Sequence, residues 1–311
     1  MIYDLIIIGA GPAGITASVY AARKRMKFLV ITKDIGGQAA RSGDIENYTG
    51  YQFITGADLT AKFEEHMKKY GVETKEPEEV TGLSAIGGSA LGGKKTNNGI
   101  SVKTNKNTYE AKTVIIASGK KSRELGVPGE AEFKNRGLTY CATCDGPLFA
   151  GKDVVVIGGG NSALDAALQL IKIAGRIYII NITPLLTGDK IMQDKAEKSD
   201  KVTILNNTRI LAILGDKIVN AVKIKEGGKE KTLAAQGVFV EIGLVPNSDF
   251  AEGVGKNDKG EIEVDRYNAT NISGVFACGD VTDVPQKQII IAAGEGSKAA
   301  ISAFRFLAQQ K

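Results

Sequence analysis

The sequence predicts an α/β protein of two Rossmann-like, three-layer nucleotide-binding domains, the second inserted in the first. Three observations predict it. One pattern, an apolar strand followed by a glycine-rich turn and an alanine-rich helix, occurs at residues 5–23 and again at 154–173. Each copy leads into a second apolar strand, Phe28-Leu29-Val30-Ile31 or Ile177-Tyr178-Ile179-Ile180, closing a βαβ unit of roughly 30 residues. Glycine is in excess, with 38 residues against 7 prolines, which favours tight backbone approaches over flexible linkers.

The elements follow in chain order. Leu5-Ile6-Ile7-Ile8 is apolar throughout and reads as a parallel strand buried on both faces. Residues 5–22 carry no charge, about the length of a membrane span, but the glycine turn divides them into a strand and a helix. A helix is expected over 56–70 and a Gly/Lys/Asn-rich hairpin region over 87–106. Strand 113–117 ends in Ser118-Gly119, and a matching strand, 237–243, also ends in glycine, so both read as exits from a nucleotide domain. A further strand falls within 274–280 and a closing helix spans 289–307. That last segment returns most economically to the first domain, giving 1–117 with 244–311 as one domain and 118–243 as the other.

Composition narrows the chemistry. Three cysteines in 311 residues exclude a secreted disulfide scaffold, and one histidine, His66, leaves too few ligands for a zinc cage, so no metal is expected. The net charge of +5 is spread along the chain without a basic patch, which argues against nucleic acid. No positive leader precedes the first strand, and the chain reads as cytoplasmic, without a membrane segment.

Gly9-x-Gly11-x-x-Gly14 follows a predicted strand and opens a predicted helix, the context that makes the pattern a dinucleotide site. Gly9 permits the turn, Gly11 lets the backbone approach a pyrophosphate, and Gly14 lets helix and strand pack closely. Pro12 and Ala13 begin the helix, whose N–H groups then face the phosphates. A ribose-binding acid is expected about 20 residues on, where Asp34 is the nearest carboxylate. Gly158-x-Gly160-x-x-Ala163, with Asn161 and Ser162 inside it, meets the same test. There the expected acid is replaced by Asn181-Ile182-Thr183, which specifies neither NAD nor NADP.

Cys141-Ala142-Thr143-Cys144 spaces two thiols for a reversible disulfide, provided the turn brings their Cα atoms within about 7 Å. Cys278, in an apolar strand, reads as a small buried hydrophobe. His66 lies in a polar helix and reads as surface.

Gly9-Ala-Gly-Pro-Ala-Gly14, Gly36-Gly37-Gln38, Glu46-Asn47-Tyr48-Thr49-Gly50, Cys141-Ala-Thr-Cys144-Asp145-Gly146, Gly158-Gly-Gly-Asn-Ser-Ala163 and Gly279-Asp280 occur in this order. Over essentially its whole length the chain resembles the low-molecular-weight thioredoxin reductases. It is also similar to the C-terminal part of the flavoprotein component of alkyl hydroperoxide reductase, in Gln193-Asp194-Lys195 and in 287–292. Lacking that component's redoxin module, it is expected to use a separate small dithiol protein, thioredoxin or glutaredoxin-like, as acceptor.

The resemblance implies FAD in the first domain. Residues 9–14 would lie on its pyrophosphate, Asp34 near the adenosine ribose, and Gly36, Gly37, Gln38 and Asn47 along the cofactor. Val80 would lie against the adenine, with Ala117, Ser118 and Gly119 close by. Gly279 and Asp280 would meet the ribityl-phosphate portion, and Lys287, Gln288 and Ile289 would bring the last helix's positive end to the flavin. The inserted domain would hold NADPH or NADH, although the family's His-Arg-Arg element for a 2′-phosphate is absent. The implied reaction runs from nicotinamide to FAD, to the Cys141–Cys144 disulfide and on to the redoxin. Cys144 would face the flavin, Cys141 would attack the partner disulfide, and Asp145 would manage the thiol proton. A homodimer and a rotation between domains, hinged in 112–121 and 242–246, are also implied. Two other readings keep the flavin and disulfide: a non-nicotinamide donor such as ferredoxin, and an oxygen-using dithiol oxidase.

Overall fold

Strand Ile2–Ala10 alternates its side chains between two cores: Tyr3, Ile6 and Ile8 face one, and Leu5, Ile7 and Ala10 the other. A strand buried on both faces requires a layer on each side of its sheet. The computed structural model describes residues 1–42, 44–45, 47–87 and 99–310, with the side chains of Arg41, Asp44 and Cys144 outside the description. The chain divides into two compact units, Met1–Lys121 with Val245–Lys311, and Ser122–Leu244.

In the first unit, Ile2–Ala10 lies between Phe28–Ile35 and Thr108–Ile116, parallel to both. Thr74–Lys75 extends one side, Ile100–Thr104 and Val80–Ala85 extend the other as an antiparallel hairpin, and Val275–Ala277 also pairs with Thr108–Ile116. Part of the expected hairpin region, 88–98, lies outside the described residues. Helices Pro12–Arg23 and Ile289–Gln309 cover one face, using small side chains (Ala13, Ala17, Ala21, Ala299, Ala303) for close approach. A Cβ at Gly296 would stand 2.0 Å from the Ala13 carbonyl oxygen, so the crossing of these helices demands glycine. The hairpin strands cover the opposite face with Val80, Leu83, Ile100 and Val102.

The second unit repeats this plan. Five parallel strands run in the order Leu138–Thr139, Gly237–Val240, Asp153–Ile157, Arg176–Ile180, Val202–Leu205. Val154 and Val156 pack under helix Asn161–Ile171 with Leu164 and Leu170, while Val155 and Ile157 pack on the opposite face. That face is covered by an antiparallel meander, Thr208–Gly215, Val219–Glu226 and Lys229–Ala234. The two units are therefore each three-layered, with the glycine turns at the carboxyl ends of central parallel strands.

No helix among the described residues is long and apolar enough to cross a membrane. Among the same residues, no cluster of His, Cys, Asp and Glu is placed to hold a metal ion.

Candidate functional site

The first glycine turn is built by backbone contacts that exclude side chains. A Cβ on Gly9, whose φ is +102°, would fall 2.4 Å from the Ala117 carbonyl oxygen, and one on Gly14 would fall 1.8 Å from that of Gly9. Gly11 differs, because a Cβ there would meet nothing within 4 Å. Gly11 is the N-cap of Pro12–Arg23, no side chain caps the helix, and Pro12 occupies its first turn. Free N–H groups thus face an open space, which is what an anionic diphosphate requires.

Of the other predicted residues, Gly36, Gly37 and Gly279 stand against this turn and its helix, and the rest make contacts of their own. The Gly36 N–H donates to the Ala10 carbonyl at 2.7 Å, and a Cβ on Gly37 would lie 3.4 Å from the Gly11 Cα. Asp34 is the penultimate residue of strand Phe28–Ile35, with its carbonyl accepting from the Thr32 hydroxyl at 2.5 Å. Gln38 donates to the Lys120 carbonyl at 2.6 Å, and Gly119, at φ +63°, borders open space. Gly279, at φ +75°, sits where a Cβ would press on Ala13 at 2.9 Å, placing Asp280 beside the start of the first helix. Gln288 is the N-cap of Ile289–Gln309, and its side-chain oxygen accepts from Asn47 at 3.1 Å. Ile289 packs with Ile45, Ile54 and Leu59, and Val80 is a core residue beside Ile31 and Val102.

A charged cluster adjoins these residues. Glu261 is buried and accepts from Lys120 at 2.9 Å and from Asn257 at 2.9 Å, with Lys287 at 3.3 Å. Burial alone would raise its carboxyl, but these three partners outweigh it and hold the group at about 2. Lys287 also donates to the Thr282 carbonyl. Burial pushes Asp280 upward, while Lys287 and Lys120 oppose the shift.

The second turn has the same construction. A Cβ on Gly158, at φ +138°, would stand 2.2 Å from the Glu241 carbonyl oxygen, and Gly160 is the N-cap of Asn161–Ile171 without a side-chain cap. The predicted ligands Asn161 and Ser162 have partners of their own. Asn161 accepts from the Asp189 N–H at 2.6 Å, fixing residues 187–189 over the helix start, and the Ser162 hydroxyl donates to the Glu241 carboxylate. Ala163 is fully buried under the strand. Asn181, where an acid was expected, is buried and donates to the carbonyls of Thr183 and Leu185 and to Asn206 at 2.9–3.1 Å. It is a strut for its loop.

The cysteine segment belongs to this second unit. Cys141 precedes helix Ala142–Asp145, and its sulfur is in a disulfide, while Cys278 is free and fully buried. The Cys144 backbone lies inside that helix, and its side chain is outside the described residues. The Thr139 hydroxyl accepts from the Cys141 N–H at 3.1 Å and donates to the Asp145 carboxylate. Thr143 donates to Gln169 at 2.8 Å, and Gln169 to Asp165 at 2.8 Å, tying the cysteine helix to Asn161–Ile171.

Two uncapped dinucleotide turns and a cysteine pair in one chain match a known family model. The pyridine nucleotide-disulphide oxidoreductase model fits residues 3–296. The chain belongs to that family.

Relatives of this pyridine nucleotide-disulphide oxidoreductase include a Bacillus subtilis protein named NADH dehydrogenase, 41% identical over 98% of the chain. An alkyl hydroperoxide reductase component of Xanthomonas campestris pv. phaseoli is also 41% identical over 98% of the chain. The chain spans 58% and 57% of the lengths of these two relatives. Among solved structures, Lactococcus lactis thioredoxin reductase superposes with a TM-score of 0.88 at 36% identity, covering 99% of both chains. The oxidoreductase thus has a thioredoxin reductase fold, and its family implies FAD and a nicotinamide nucleotide. Both turns fit such ligands, with open space and unpaired N–H groups at Gly11 and an uncapped helix at Gly160.

Three residues at these sites were not flagged by sequence. Lys120 and Glu261 are 141 positions apart, and no local pattern joins them. Glu241 had a visible signal, since Val240-Glu241-Ile242-Gly243 parallels Ile116-Ala117-Ser118-Gly119.

Proposed function

We propose that this chain is a flavin-dependent disulfide reductase that carries electrons from a reduced nicotinamide nucleotide to a small dithiol redoxin, thioredoxin or glutaredoxin-like. The carrying observation is the Thr139 hydroxyl, which joins the Cys141 backbone to the Asp145 carboxylate beside the cysteine pair. In this reading the unit Met1–Lys121 with Val245–Lys311 holds FAD, and Ser122–Leu244 holds the nicotinamide nucleotide. Bound FAD supplies two-electron chemistry between the nicotinamide and the disulfide formed by Cys141 and Cys144.

The protein's own groups have distinct tasks. The N–H groups after Gly11 and Gly160 bind diphosphates. Lys287 and the start of Ile289–Gln309 supply positive potential at one end of the first site. Cys141 attacks the redoxin disulfide, forming a mixed disulfide that Cys144 resolves, so two protein thiols are oxidised as the redoxin disulfide is reduced. Asp145, oriented by Thr139, delivers the proton to the leaving thiolate.

NADH is the proposed donor. The loop that follows Arg176–Ile180 offers a buried amide at Asn181 and an exposed apolar side chain at Ile182, neither of which neutralises a 2′-phosphate. The relative named NADH dehydrogenase supports the same choice. Anaerobic mixing with NADH or NADPH, followed by oxidised thioredoxin or glutaredoxin, tests the proposal. The flavin bleaches faster with NADH and reoxidises as redoxin thiols appear; bleaching by neither nucleotide overturns the donor, and absence of redoxin thiols overturns the acceptor.

A further inference from the structure

The two glycine turns contain an internal comparison. In each, the first glycine is pressed against the carbonyl of the residue that immediately follows a neighbouring parallel strand: Gly9 against Ala117 and Gly158 against Glu241. Two residues later each strand exit has a left-handed glycine, Gly119 at φ +63° and Gly243 at φ +96°. Ala117 and Glu241 are therefore equivalent positions. At the first turn this position presents a methyl group, and at the second a carboxylate hydrogen-bonded to Ser162, the second residue of the helix that opens the site.

That carboxylate is costly where it stands. It is partly buried, and among the described residues it forms no ion pair. Burial pushes it up to about 7; the Ser162 hydrogen bond works against the shift, and the like charge of Asp165, one helical turn on, adds to it. Neither Ser162 nor the strand needs an acid for structure, since a neutral acceptor would receive the same hydroxyl. A half-buried carboxylate beside a ligand turn, held by one hydroxyl and by no cation among the described residues, has acceptor capacity left for a ligand donor.

Strand order identifies the donor. In such a sheet the diphosphate lies over the turn after the first strand, and the two nucleosides extend over the strands on either side. Here those are Arg176–Ile180, which meets the adenosine half, and Gly237–Val240, which Glu241 immediately follows. We propose that Glu241 is a specificity-determining residue that accepts a hydrogen bond from a hydroxyl of the second ribose, the one on the nicotinamide half of the dinucleotide. This rests on the second unit being the nicotinamide nucleotide site.

The test measures binding of ADP, ADP-ribose and NAD⁺ to the flavin-loaded protein by calorimetry, for wild type, E241Q and E241A. ADP lacks the second ribose, while ADP-ribose and NAD⁺ carry it. E241A is expected to weaken ADP-ribose and NAD⁺ about tenfold or more, as for loss of a charge-assisted hydrogen bond, and to leave ADP within about twofold. E241Q, which retains an acceptor for Ser162, falls between the two. Equal weakening of all three ligands by E241A would mark a merely structural role, and unchanged affinities would remove Glu241 from the site; either overturns the proposal. Wild-type protein that binds none of the three overturns the nicotinamide reading of this unit as well, a result distinct from both.

Discussion

The Thr139 hydroxyl donates to the Asp145 carboxylate while accepting from the Cys141 backbone N–H. One side chain therefore fixes both the acid and the start of the cysteine helix. Thr139→Val keeps the shape and removes both bonds. It is expected to slow redoxin reduction about tenfold, and Asp145→Asn about a hundredfold, in line with loss of a general acid. Flavin bleaching by NADH should stay within about twofold in both. Stopped-flow absorbance separates the two steps, and equal slowing of both steps would place Asp145 outside thiol chemistry.

Gly14 and Gly11 separate fold from ligand. A Cβ on Gly14 collides with the Gly9 carbonyl, whereas one on Gly11 enters open space. Gly14→Ala is expected to yield little folded protein. Gly11→Ala should fold normally but lose most of its flavin, read from the ratio of visible to ultraviolet absorbance of the purified protein.

Glu261 holds two lysines, and Glu261→Gln removes the carboxylate that Lys120 and Lys287 share as an ion-pair partner. Breaking such a cluster should cost about 3 kcal/mol, measured by urea unfolding at neutral pH. The pH dependence has a definite sign. The Glu261 carboxyl is held at about 2 in the folded protein, below its ordinary value, so its stabilisation is complete above about 4.5 and is lost as pH falls towards 2. Melting temperatures of wild type and Glu261→Gln should therefore converge between pH 4.5 and 2.

Glu241 has the opposite sign. Its folded-state value of about 7 exceeds the ordinary one, so the unfolded chain ionises first and wild type loses stability as pH rises from about 4.5 to 7. Glu241→Gln escapes this loss. Its melting temperature relative to wild type should rise between pH 5 and pH 8, and a constant difference across that range would contradict the shifted carboxyl.

The central strands were legible because burial on both faces writes an uninterrupted apolar run, as in Leu5-Ile6-Ile7-Ile8 and Val154-Val155-Val156-Ile157. The glycine turns were legible because steric demands select glycine at Gly9 and Gly14. The outer layer of the second unit was harder to read. Val219–Glu226 alternates buried Val222 and Ile224 with outward Lys223 and Lys225, a period-two signal diluted by charge. Lys120, Glu261 and Lys287 meet only after the chain has folded back on itself, and Glu241 stands at a position where the sequence rule places no acid.

The seat that Ala13 provides for Gly296 has a consequence for biosynthesis. The first unit brings together strands laid down before residue 117 with Val275–Ala277 and a helix that starts at Ile289. Ser122–Leu244 is continuous, and its parallel sheet and meander lie wholly within that stretch. On the ribosome, the inserted unit can therefore complete its core while the earlier strands still await Val275–Ala277 and the helix carrying Gly296. Until Val275–Ala277 emerges, residues 114–116 lack their neighbour on that side, and an unpaired strand edge is open to mispairing for that interval.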